Sequence, residues 1–64
     1  MSEENELLQK WSALKVLIES LEVDIVKNVS GNKSAGVRAR KGLRLLKNEA
    51  SSIVKLSLSH DKDS

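Results

Sequence analysis

The spacing of the apolar side chains constrains the fold of this chain more than any other feature. From residue 7 to residue 25, apolar residues recur at alternating steps of four and three positions. Such steps place side chains along one face of an α-helix and are typical of a coiled coil or a helical bundle. The members of this first apolar seam are Leu7, Trp11, Leu14, Ile18, Leu21 and Ile25. The sequence therefore predicts a first helix over about residues 3–28.

A second seam follows a polar break in the chain. Gly31 and Asn32 tolerate the left-handed backbone found at helix ends, so we expect a turn over residues 29–33. The steps of four and three then resume at Ala39, Leu43, Leu46, Ala50 and Ile53. We expect a second helix over about residues 34–58, so that residues 1–59 form a helical hairpin and residues 60–64 a polar tail.

Two further patterns bear on the second helix. Small residues at 35, 36, 39 and 42 would let its first half approach a neighbouring helix closely. Residues 53–59 alternate between apolar and polar types, which also fits a β-strand. A single strand without a partner is unstable, so we favour helix there. The predicted fold class is all-α, an antiparallel two-helix hairpin.

The size of the chain indicates self-association. A protein of 64 residues buries only about 60% of the surface that its unfolded chain exposes, so its own core is marginal. The sequence has no cysteine and a single histidine, and we predict no disulfide, no metal site and no cofactor. We expect a homo-oligomer, most simply a dimer that forms a four-helix bundle through the two apolar seams.

Other functional classes are disfavoured. No apolar run approaches the ~20 residues that a membrane span needs, and the acidic N-terminus is unlike a signal peptide. We therefore expect a soluble cytoplasmic protein without membrane contact. A small hairpin also lacks the concave apolar cavity in which enzymes bind substrates, so we predict neither catalysis nor a small-molecule substrate.

The charges are divided unequally along the chain. Residues 1–32 carry a net charge of −3, whereas residues 33–47 carry +6 and no acidic residue. At about 100° per residue, most of these cations fall on one stripe of the second helix, away from its seam, and Arg38 points elsewhere. A stripe without acids predicts a phosphate-bearing partner. The predicted phosphate-binding residues are Lys33, Ser34, Arg38, Arg40, Lys41, Arg44 and Lys47.

Residues 31–43, Gly-Asn-Lys-Ser-Ala-Gly-Val-Arg-Ala-Arg-Lys-Gly-Leu, resemble the bacterial linker-histone-like proteins of the Hc type. That family condenses the nucleoid, and its N-terminal domain has a helix, a similar Gly-Asn-Lys turn and an Arg-rich helix. The resemblance implies nucleoid association and DNA compaction through the basic residues at 33, 38, 40, 41, 44 and 47. Long family members also carry a Lys/Ala/Pro-rich tail, whereas this sequence ends in the short segment Ser-His-Asp-Lys-Asp-Ser.

These observations predict a histone-like protein that binds duplex DNA without sequence preference and can bridge or compact it as an oligomer. Its predicted location is the nucleoid, in a cell or in a virus-infected cell or virion. An alternative from another class is a small interaction or chaperone-like module whose basic face docks an acidic protein. In that case Glu19, Glu22 and neighbouring acids of the first helix would cover the basic stripe within an assembly.

Overall fold

A computed structural model describes the backbone of residues 3–63 and the side-chain exposure of residues 5–62. Helix α1 spans Glu3–Val29 and helix α2 spans Lys33–Asp63, and the described part of the chain contains no strand. The two helices pack against each other along their length in a hairpin of 49 × 15 × 14 Å. The predicted all-α class and the helical hairpin are confirmed.

Helix α2 continues beyond the predicted end at residue 58. Residues 60–63, expected as a polar tail, belong to its last turn. No glycine or proline stands between residue 43 and the end of the helix to interrupt the backbone. Lys62 lies in the last turn, where a positive charge interacts favourably with the helix dipole. Residues 53–59, whose alternation also fitted a strand, are helical.

The connection between the helices is a Schellman turn followed directly by an N-cap. Gly31 has a backbone φ of 105°, a value that residues with a Cβ atom rarely adopt. The Asn32 amide donates to the Lys27 carbonyl at 3.0 Å, and the Gly31 amide donates to the Asn28 carbonyl at 3.0 Å. The Oδ1 of Asn32 then accepts a 2.9 Å bond from the Ala35 amide. One residue thus ends the turn and begins α2, which reverses the chain direction over a short distance.

Small residues of α2 lie in the contact between the helices. Ala35 is fully buried and Ala39 is 4% exposed, and Leu14 and Leu21 are the buried apolar residues of α1. A Cβ at Gly42 would overlap the Leu21 side chain. A Cβ at Gly36 would similarly lie within 3 Å of the Asn28 amide group. The predicted close approach of this small-residue segment is confirmed.

Packing divides the first apolar seam between two faces of α1. Leu14 and Leu21 are buried against α2 and Leu7 is half-buried, whereas Trp11, Ile18 and Ile25 stay 47%, 45% and 42% exposed. In the second seam, Leu46 and Ile53 are half-buried, and Leu43 is 45% exposed. One hairpin therefore leaves four of the eleven seam residues exposed, three of them on α1. Neither of the described helices has a stretch apolar enough to cross a membrane.

Candidate nucleic-acid interface

The basic residues of α2 lie on the half of the helix that faces away from α1. The buried and half-buried positions of α2 recur at steps of three and four from Ala35 to His60 and so define the side that contacts α1. On the opposite, outward side, five cations between residues 33 and 47 are exposed to solvent. They are Lys33, Arg40, Lys41, Arg44 and Lys47, which we call the basic row. At about 1.5 Å per residue the basic row is about 20 Å long.

The basic row forms no ion pair with the acidic side chains that the structure describes. A salt bridge joins Arg38 to Asp24, which lies outside the row. Glu49 is half-buried on the side of α2 that contacts α1, so it does not interrupt the outward surface. Glu19 and Glu22 are exposed on α1 and form no ion pair with the row of their own chain. The outward surface of α2 is therefore positive from residue 33 to residue 47.

Arg38 differs from the other predicted phosphate-binding residues. Its Nε donates to the Asp24 Oδ1 at 3.2 Å, and the side chains are 52% and 18% exposed. Arg38 thus lies on the flank of α2 beside α1, in agreement with its direction on the helical wheel. Its charge is partly balanced by the carboxylate, so the structure separates it from the basic row.

The first turn of α2 adds polar groups to one end of the row. The amides of Ala35 and Gly36 donate to the side chain and the carbonyl of Asn32, respectively. The amides of Lys33 and Ser34 lie before these two in the chain. They belong to the first turn of the helix, where N–H groups have no intrahelical carbonyl to bind. Both side chains are exposed, and the positive end of the helix dipole lies there. An anion at this position would therefore meet Lys33, Ser34 and backbone donors together.

Two lysines that the sequence reasoning omitted extend the basic surface. Lys55 and Lys62 are exposed on the outward side of α2, in line with Lys41 at multiples of seven residues. With them the positive surface runs from residue 33 to residue 62, about 43 Å at the helical rise. The spacing by multiples of seven could have identified both lysines in the sequence. They were left out because the expected helix ended at residue 58 and the run without acidic residues at residue 47.

The protein-family model for histone H1-like protein Hc1 matches residues 8–63, which is nearly the whole chain. The chain belongs to the histone H1-like Hc1 family. The role shared by such proteins is histone-like DNA binding and nucleoid condensation, and it places this Hc1-family chain at the nucleoid. The suspected Hc-type resemblance is thereby confirmed. No curated protein and no solved structure matches the chain significantly.

Proposed function

We propose that this Hc1-family protein binds duplex DNA through its phosphates, using the outward side of α2. The observation that carries the proposal is the exposed basic row without an acidic partner. The proposed contacts are Lys33, Ser34, Arg40, Lys41, Arg44 and Lys47, extended by Lys55 and Lys62 and flanked by Arg38. Family membership supports DNA as the anion, and the geometry supports phosphate as the group contacted.

The dimensions of the basic surface suit a duplex. B-DNA carries about one negative charge per 1.7 Å of its axis, so a row of about 20 Å lies within reach of several phosphates. Lysine and arginine contacts to phosphates fix position and orientation but carry no base sequence. No aromatic side chain lies on the outward side of α2, since Trp11 is on α1 and the sequence has no phenylalanine or tyrosine. We therefore expect binding without sequence preference.

Compaction requires more than one basic surface on the same particle. A single hairpin presents one such surface and leaves Trp11, Ile18, Ile25 and Leu43 of its apolar seams exposed. Self-association would cover the apolar side chains and join two basic surfaces in one particle. We propose that the dimer is the form that organises DNA, by bending it or by bringing segments together.

Salt dependence tests the phosphate contacts directly. The measurement is fluorescence anisotropy of a labelled random-sequence duplex, titrated with the protein at ~50 to ~200 mM salt. Seven contacts, made by the basic row with Lys55 and Lys62, give a slope of log K against log salt of about −6, which corresponds to a roughly five-thousandfold loss of affinity over that range. Each phosphate contact removed lowers the steepness of the slope by about one unit, so Lys55→Gln/Lys62→Gln should lower it by about two.

The matched control removes the same charge from α1, as Lys10→Gln/Lys27→Gln, and should leave the slope nearly unchanged. Binding that is insensitive to salt contradicts the proposed function. If both pairs of substitutions lower the slope equally, the salt dependence of DNA binding follows from the net charge of the protein and not from contacts on the outward side of α2. No binding at either salt concentration, with capture of an acidic protein instead, would favour the interaction module.

A further inference from the structure

The hairpin exposes more surface than a compact protein of its mass. Its accessible area is 4937 Å², whereas a folded monomer of 7.1 kDa is expected to expose about 4,100 Å². The excess includes large apolar side chains on one face of the hairpin. On α1 these are Leu8, Trp11, Ile18, Ile25 and Val29, which are 42% to 83% exposed. Between the helices on the same face lies a groove of about 490 Å³, lined by residues that include Ile18, Ile25 and Leu43.

The exposed face of α1 has a palindromic order of side chains, which we call the palindromic row. Its seven members recur at alternating steps of three and four positions, so they form one line on the helix. In order they are Leu8, Trp11, Lys15, Ile18, Glu22, Ile25 and Val29. Ile18 stands at the centre, a lysine and a glutamate flank it on opposite sides, and two apolar residues close each end.

We propose that a second copy of this chain packs on this face, with the two α1 helices antiparallel and the two-fold axis at Ile18. Reversal of the palindromic row about Ile18 places Lys15 of one copy beside the partner's Glu22 and Ile18 beside the partner's Ile18. Trp11 then lies beside the partner's Ile25, and Leu8 beside the partner's Val29. Each pair matches in height along the helix to within one residue, or about 1.5 Å. Every apolar side chain of the row meets an apolar one, and every charge meets its opposite.

A parallel pairing of the same face lacks this complementarity. Parallel α1 helices would place Lys15 beside the partner's Lys15 and Glu22 beside the partner's Glu22, which is repulsive. Lys15 and Glu22 are both exposed and form no salt bridge within the described hairpin, so both are available to a partner. The charges therefore select the antiparallel pairing of α1 with α1.

The proposed axis also determines where the basic rows lie. With α1 against α1, the two α2 helices lie on the same side of the dimer, and their outward cations form one positive surface. The dimer interface does not depend on the proposed function, but the role of the joined positive surface in DNA binding does. It implies that the dimer clamps or bends one duplex along two basic rows, and joining separate segments then takes more than one dimer.

Charge exchange at the interface tests the pairing in the absence of DNA. Sedimentation equilibrium at low salt measures the dimer dissociation constant of the full chain, and circular dichroism reports whether each variant is helical. Glu22→Lys and Lys15→Glu should each weaken the dimer roughly tenfold, because two symmetry-related attractions become repulsions. The double variant Lys15→Glu/Glu22→Lys restores opposite charges across the axis and should recover the wild-type constant. Matched charge changes outside the row, Glu19→Lys and Lys27→Glu, should leave it unchanged.

A monomeric wild-type protein overturns the proposal, as does a double variant whose dimer is no stronger than that of the single variants.

Disulfide trapping gives an independent test, because the natural sequence contains no cysteine. Ile18→Cys lies on the axis and should cross-link to itself under oxidation. Ile25→Cys should not, because the two copies of residue 25 would be about 21 Å apart along the helix. Self-cross-linking of both variants would indicate parallel α1 helices. Since no DNA is present, failure of this interface leaves the phosphate contacts untouched, and failure of the salt titration leaves the interface standing.

Discussion

The Leu21 side chain lies directly over Gly42, in the contact between the two helices of the hairpin. A Cβ at position 42 would overlap the leucine's Cδ2 and lie 3.2 Å from its Cγ. Leu21 is only 5% exposed, so this contact belongs to the buried core of the hairpin. The absence of a side chain at residue 42 thus sets the distance between α1 and α2, and with it the register of the hairpin.

This contact predicts a strong coupling between the two positions. Alanine in place of a glycine within a helix normally stabilises by about 1 kcal/mol, and Gly42→Ala should lack that gain because it displaces Leu21. In a Leu21→Ala background the space is empty, and the same substitution should raise the stability by about that amount. Thermal or urea unfolding at a single protein concentration measures both values. Equal effects of Gly42→Ala in the two backgrounds would show that Leu21 does not occupy this space.

The cap at Asn32 predicts a second effect on stability. Its Oδ1 accepts the bond from the Ala35 amide, so Asn32→Ala removes a partner from the first turn of α2 and should cost about 1 kcal/mol. Asn32→Ser retains an oxygen able to accept this bond and should be nearly neutral. Urea unfolding followed by circular dichroism compares the two variants. A serine variant as unstable as the alanine one would mean that the Asn28 bond to the Asn32 carbonyl, or the turn itself, depends on the asparagine.

The ion pair at Arg38 predicts unequal roles for two arginines of α2. Arg44→Gln removes a free outward cation and should lower the steepness of the salt dependence of DNA binding by about one unit. Arg38→Gln removes a cation that Asp24 already balances in part, and the slope should change less. Its effect on stability should stay below about 1 kcal/mol, because the arginine side chain is half exposed. Anisotropy titrations at several salt concentrations distinguish the variants, and equal slopes for both would show that DNA displaces Asp24 from Arg38.

The sequence predicted the helices well because their signals are local. The alternating apolar steps predicted two long helices. Gly31 and Asn32 predicted the turn, because the backbone conformation of a turn follows from the residue types that form it. The end of α2 was wrong by one turn or more, because the sequence offers no residue that stops a helix near position 58. Because the predicted helix ended at residue 58, the predicted basic surface left out Lys62. It left out Lys55 because the run without acidic residues ends at residue 47.

The sequence by itself determined that this chain is helical, that its apolar residues form two seams, and that its second half is basic. Only the tertiary structure decided how those seams are used. The helices pack over Ala35, Ala39 and Gly42, where side chains are small, and α1 turns Leu14 and Leu21 inward. Trp11, Ile18 and Ile25 consequently stay outside, and the cation at Arg38 meets Asp24. Periodicity identifies the apolar surface of a helix, but side-chain size at the contact decides which part of it is buried.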